Sequence, residues 1–221
     1  MAKRAVPANS KPEADGAPGS SRQETRREEF LRAASEVFLK DGFSGANVDG
    51  VIWKVGGSKR TLYSYFGNKE GLFSTVIRDI SVRAMASLVD ESICRATLHE
   101  TLLEIGNRYL SVIMLPETLR LYRTIVAEGI RFPQLPEVFF ENGPGRASRS
   151  LARTLEKNHH VWGLRALDYE AAAQHFFGMI RGDIHLKVVL GLRPPPKRDE
   201  IQSTVASIVD LFVDGCRAVA N

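Results

Sequence analysis

The chain has 221 residues, 43% of them hydrophobic, and a net charge of +4. That length suits one domain or one and a half with a sizeable core, and no apolar run reaches the ~18 residues of a transmembrane helix. The two cysteines, Cys94 and Cys216, are too few for a disulfide framework and point to a reducing cytoplasm.

The charge is unevenly placed. Residues 1–83 carry 14 Lys/Arg against 10 Asp/Glu, whereas residues 84–221 carry 16 of each. A positive excess confined to the first third fits nucleic-acid binding at one end and a different task at the other. Residues 1–21, rich in Ala, Pro, Gly and Ser and without the apolar stretch of a signal peptide, read as a disordered tail.

Helical signals follow almost without interruption. Phe30, Ala33, Ala34, Val37 and Phe38 lie on one face of a first helix that Asp41-Gly42 stops. Asn47 is placed to cap a second helix through about Lys54, Ser58 a third through about Phe66, and Asn68 a longer fourth into the eighties. Gly56-Gly57 and Gly67-Asn68 are the breaks between them. Five more helices are predicted near 97–114, 117–131, 134–157, 168–190 and 198–219, with Asn142-Gly143-Pro144-Gly145 as a point of break or kink in the seventh. No alternating β pattern of useful length is present. The expected fold is therefore all-α, of about nine helices.

Three short helices joined by glycine turns suggest a helix-turn-helix, which needs a short recognition helix whose N-terminal residues enter the major groove. Ser58, Lys59, Arg60 and Thr61 form that end. Arg60 can donate two hydrogen bonds to guanine, and Lys59 can serve a base or a phosphate. Tyr63, Ser64 and Tyr65 offer hydroxyls to phosphate oxygens, while Leu62 and Phe66, four apart, pack inward. Lys69 stands at the start of the fourth helix, where free N–H groups and the helix dipole favour a phosphate.

These residues resemble the TetR/AcrR family of repressors. The resemblance is carried by Phe43 with Asn47-Val48-Asp49, by the run from Gly56 to Phe66, and by Asn68-Lys69-Glu70-Gly71-Leu72-Phe73, over about residues 26–75. It departs from the family pattern at Gly57 and Val55, at Gly50, and in the bulk of Ile52 and Trp53. It implies a DNA-binding head over residues 22–67, in which Asn47 also contacts DNA, and an effector-binding and dimerising body over 68–221. It further implies a pocket in the body, with Tyr109, Tyr122, His175, Phe176, Met179 and Asp183 as candidates for its lining.

The last predicted helix carries a wide apolar stripe, and its Val205, Ile208, Val209, Phe212 and Val213 are the expected dimer seam. Together with the helix before it, which carries Phe176, Phe177, Met179, Ile180, Ile184, Val188 and Val189, it can pair with the copies in a second chain as a four-helix bundle. The function expected is a cytoplasmic, homodimeric regulator, a repressor released from a palindromic operator by a small, mostly apolar ligand. The alternative is a helix-turn-helix protein controlled by a protein partner. No cofactor is expected, no histidine or cysteine spacing resembles a metal site, and no phosphate loop or nucleophile elbow supports an enzyme.

Overall fold

The computed structural model describes residues 18–89 and 93–216, and its elements are all helices. They are α1 (Pro18–Gly45), α2 (Val48–Val55), α3 (Lys59–Phe66), α4 (Lys69–Met85), α5 (Leu98–Ile113), α6 (Pro116–Glu128), α7 (Gln134–Asn142), α8 (Pro144–Asn158), α9 (Tyr169–Val189) and α10 (Arg198–Cys216), with a 3-10 turn over Ala86–Leu88. Residues 1–17 of the expected tail lie outside the described residues, as do the last three positions of the helix expected over 198–219. The backbone is already helical from Pro18, within the segment read as tail.

Capping chemistry sets the starts. The side chain of Asn47 accepts from the Asp49 N–H, that of Ser58 from the Thr61 N–H, and that of Asn68 from the Gly71 N–H. Thr97 and Glu100 form a reciprocal capping box on α5. The helix expected over 134–157 is two helices, because Gly143 leaves helical geometry at φ −108, ψ −108 and Pro144 restarts the chain without needing an N–H partner. That split makes ten α-helices among the described residues where about nine were expected. In α1, Gly42 takes φ 70, a left-handed angle that side chains resist, and turns the chain after Asp41 as the sequence suggests.

Apolar burial divides into two cores. One joins α1–α4 with Leu121 and Ile125 of α6 and Leu135 of α7. Its centre is aromatic: Phe38, Phe43 and Phe73 lie within 4.6–6.1 Å of one another, and Phe132 meets Phe43 edge-on at 4.5 Å. Gly71 is required where α4 passes under α3, since a Cβ there would sit 2.1 Å from the Phe66 carbonyl oxygen. The other core joins α5, α8, α9 and α10 with the end of α4. The first core therefore reaches past residue 67 into the segment expected to be the body.

Candidate nucleic-acid interface and effector cavity

On α3, Leu62 and Phe66 are buried and fix the helix on the head core, leaving Arg60, Thr61 and Ser64 exposed on the opposite face. Among the described residues Arg60 has no ion-pair or hydrogen-bond partner, so its guanidinium is available to an external acceptor. Lys59 is held: its ammonium pairs with Asp49 of α2 at 2.9 Å. The hydroxyls of Ser58 and Thr61 meet at 3.0 Å, and the Ser64 hydroxyl donates to the Thr61 carbonyl at 2.7 Å. Tyr63 and Tyr65 are half-buried on the flanks of α3, Tyr65 leaning on Phe30 of α1 at 6.1 Å between ring centroids. Asn47 is exposed, with its side chain engaged as the cap of α2.

Lys69 does not project freely from the start of α4. Its ammonium lies 5.1 Å over the Phe43 ring and donates to the Ser44 carbonyl at 3.4 Å. Beside it, Glu128 at the end of α6 accepts from both the backbone N–H and the hydroxyl of Ser44, at 2.9 and 2.8 Å. The Ser44 N–H holds the Glu128 carboxyl below its ordinary range, against a smaller opposing effect of burial. This group ties the end of α1 to the end of α6.

Two head residues that sequence reading left without a role stand out. Trp53 is 87% exposed on α2, one turn beyond Asp49 and so on the same helical face as the Asp49–Lys59 pair. Its bulk was visible in the sequence; its exposure was not. Arg26 of α1 stacks on Phe30 at 5.0 Å and donates to the Gly56 carbonyl at 2.9 Å, clamping the turn between α2 and α3. No sequence signal joins two positions 30 apart in this way.

A narrow cavity lies where the two cores meet, bordered by α4, α5, α6, α7, the start of α8, and α9. Its free space is about 30 Å³, enough for a water or two. Of the six residues expected to line a pocket, Tyr109 and Tyr122 do. Phe176 is fully buried in the second core, packed on Phe177 and Phe212. His175, Met179 and Asp183 lie on the exposed face of α9, away from the cavity; Asp183 pairs with Lys187 at 3.2 Å. Residues not expected there complete the lining, chiefly Ser81, Phe139, Arg181 and His185. The hydroxyls of Tyr109 and Ser81 are buried without a hydrogen-bond partner. Burial raises the Tyr109 phenol to about 12. Burial first, then the nearby Arg181 and Arg123, lowers His185 to about 4 and leaves a neutral imidazole at pH 7.

The residues expected to form the dimer seam are largely covered within one chain. Val205, Val209, Phe212 and Val213 are buried within one chain, and Ile208 is partly buried against the same core. The reason is that α10 packs on two neighbours, α5 and α9: a Cβ on Gly106 of α5 would lie 2.7 Å from Val205, and Phe212 meets Phe176 of α9 at 5.2 Å. The apolar residues that remain exposed on these helices are Met179, Leu186 and Leu211, and Leu190 follows α9. Among the described residues no group of three metal-ligating side chains is placed to hold an ion, and no helix is long and apolar enough to cross a membrane.

Comparison with known proteins matches two consecutive parts of the chain. Residues 30–76 match the family described as bacterial regulatory proteins, tetR family, and residues 100–215 match the AefR-like transcriptional repressor C-terminal domain. The HTH-type transcriptional repressor NicS of Pseudomonas putida is 39% identical over 54 residues, covering 24% of this chain and 26% of NicS. The HTH-type transcriptional repressor AcnR of Corynebacterium diphtheriae is 36% identical over 67 residues, covering 30% of this chain and 35% of AcnR. The chain thus spans only about a quarter to a third of those two relatives. The solved structure of the flavonoid-responsive regulator FrrA is 30% identical, with a TM-score of 0.76 over 89% of this chain and 100% of that one. A TetR-family protein from Mesorhizobium loti shares the fold at 24% identity, with a TM-score of 0.77 over 89% of this chain and 99% of that one.

Proposed function

The chain belongs to the TetR family of bacterial regulatory proteins, and from that membership we propose that it is a homodimeric repressor, released from a palindromic operator by a small, mostly apolar molecule. It is a DNA-binding regulator; operator form and release are the proposal. The observation that carries the release step is the place of the cavity, at the seam between the core that holds the DNA-binding helices and the core of the body. With room for only a water or two, the cavity must widen to admit an organic molecule, and widening it separates α4 and α6 from α5 and α9. A ligand that favours the widened state shifts the heads, and DNA opposes the shift by the same factor.

On the DNA side, Arg60 reads a base, Thr61 and Ser64 border it, and Tyr63 and Tyr65 reach phosphates from the flanks. Lys59 remains a contact that must first leave Asp49. Asn47, Ser58 and Lys69 serve chiefly to fix the helices. Trp53 joins the interface, because a large apolar side chain left in water beside the recognition helix gains by packing against sugar and phosphate. In the dimer, the exposed stripe of His175, Gly178, Met179, Leu186 and Leu211 replaces the buried residues of α10 as the seam.

The likeness to FrrA, a flavonoid-responsive regulator, supports a flat organic effector. The small size of the cavity favours the other reading, control by a protein partner. A screen of hydrophobic compounds by thermal shift, followed by operator affinity with each hit, separates the two. Hits that loosen the operator support ligand control; hits that bind without loosening it, or no hits in any class, support the partner. Arg60→Ala should cost about 1–3 kcal/mol at one base position per half-site and leave other positions unchanged. Unaltered sequence preference in that variant would remove Arg60 as base reader.

A further inference from the structure

We propose that the cavity selects its effector by charge, taking an aromatic molecule that is neutral or anionic and carries a hydrogen-bonding substituent, and rejecting a cation of the same shape. This deepens the ligand-controlled reading above and rests on it. The lining contains no aspartate or glutamate. It contains one permanent cation, Arg181, which among the described residues has no carboxylate partner. The only acid near it in sequence, Asp183, points outward to Lys187.

Shape and polarity point the same way. Tyr122 stands edge-on to His185 at 5.0 Å and to Phe139 at 6.1 Å, so the walls are ring faces and edges suited to an aromatic plane. The unpartnered hydroxyls of Ser81 and Tyr109 are 3% and 1% exposed, and a buried hydroxyl without a partner is costly. A ligand hydroxyl, carbonyl or carboxylate reaching them removes that cost. Tyr109, whose phenol stays protonated, supplies a donor.

An aromatic lining alone would also accept a cation through ring faces. The unpaired guanidinium decides against it, since a second positive charge in the same partly dry space is repelled. Burial first, and then Arg181 and Arg123, keep His185 neutral, so the imidazole brings neither a second cation nor a counter-charge for a bound one to this wall.

The test uses three naphthalenes that differ only in their substituent: 2-naphthol, 2-naphthoate and 2-naphthylmethylammonium. Each is titrated into the full-length protein by calorimetry and thermal shift, and fluorescence anisotropy follows labelled operator in parallel. The expected result is binding of the naphthol and the naphthoate, with the ammonium at least about tenfold weaker. Arg181→Leu should erase the preference for the naphthoate over the ammonium, and Arg181→Lys should restore it. Tyr109→Phe should weaken the naphthol. The charge series in the unaltered protein stands even where Arg181→Leu fails to fold. The ammonium binding as tightly as the other two, or none of the three binding, overturns the proposal. The two readings fail separately. Binding in the stated charge order with operator affinity unmoved removes ligand control and keeps the charge preference. Operator release by the ammonium above the others keeps ligand control and removes the charge preference.

Discussion

Replacing Glu128 tests whether the contact between α6 and α1 is energetic or incidental. Its two oxygens accept from the Ser44 N–H and hydroxyl at 2.9 and 2.8 Å, and Lys69 adds a favourable charge nearby. Hydrogen bonds to a charged group contribute about 1.5–3 kcal/mol each in protected settings. Glu128 is only half-buried, so solvent screening reduces the combined effect to about 1–2 kcal/mol. Ser44→Ala removes only the hydroxyl arm and should cost about 0.5–1 kcal/mol, because the backbone N–H keeps its partner. Glu128→Ala should cost more than Ser44→Ala, and the double variant less than their sum. The carboxyl titrates below its unfolded value, so its contribution is present above the unfolded pKa and is lost as the pH falls through the folded one. The assay is urea denaturation of the full chain for the parent, both single variants and the double variant, at pH 7 and again in acid. Additive single effects at pH 7, or a Glu128→Ala deficit that persists unchanged in acid, would refute the reasoning.

The sequence contains two tryptophans, so Trp162→Phe leaves Trp53 as the sole tryptophan, excited selectively beyond the tyrosine band. Its emission should shift on addition of operator duplex, and Trp53→Ala should weaken binding by about 1–2 kcal/mol; an unchanged spectrum would take Trp53 out of the interface. Leu186→Glu should sediment as a folded monomer, whereas Phe212→Asp should unfold the chain, because it buries an unpaired charge between α9 and α10. A folded Leu186→Glu dimer would exclude α9 from the seam. His185 is neutral in the folded chain down to about pH 4, but an unfolded histidine takes a proton below about 6.5. Stability should therefore fall between those values by about 2–3 kcal/mol more in the parent than in His185→Gln, and equal pH profiles by denaturation would show that the imidazole is not protected.

What the sequence made legible was local. The caps at Asn47, Ser58 and Asn68 are side chains bonding N–H groups two or three residues ahead, and the observed helices start where those residues stand. The break at Gly143-Pro144 was visible for the same reason, although not that it would make two helices. Burial patterns carried less. The stripe of Val205, Val209 and Phe212 says that α10 is covered, and nothing in it says whether the cover is α5, α9 or a second chain. The cavity was least legible. Tyr109 and Tyr122 were found because aromatic residues on apolar rows are natural candidates. Ser81, Arg181 and His185 come from α4 and α9, and only the fold brings them to one space. That Lys59 and Lys69 are held is not legible locally, because Asp49 and Phe43, which hold them, lie 10 and 26 positions earlier.

The aromatic core shared by α1–α4, α6 and α7 bears on how such a regulator could be re-engineered. A chimera joined at residue 67, carrying this DNA reader onto another body, would strip Phe43 of Phe132 and the core of α1–α3 of Leu72, Phe73 and Val76. A transplant that respects the packing takes α6 and α7 along with the reader and makes its cuts on either side of α5 and before α8. The modular unit is thus discontinuous in the chain, and the DNA reader is inherited together with half of the wall of the cavity.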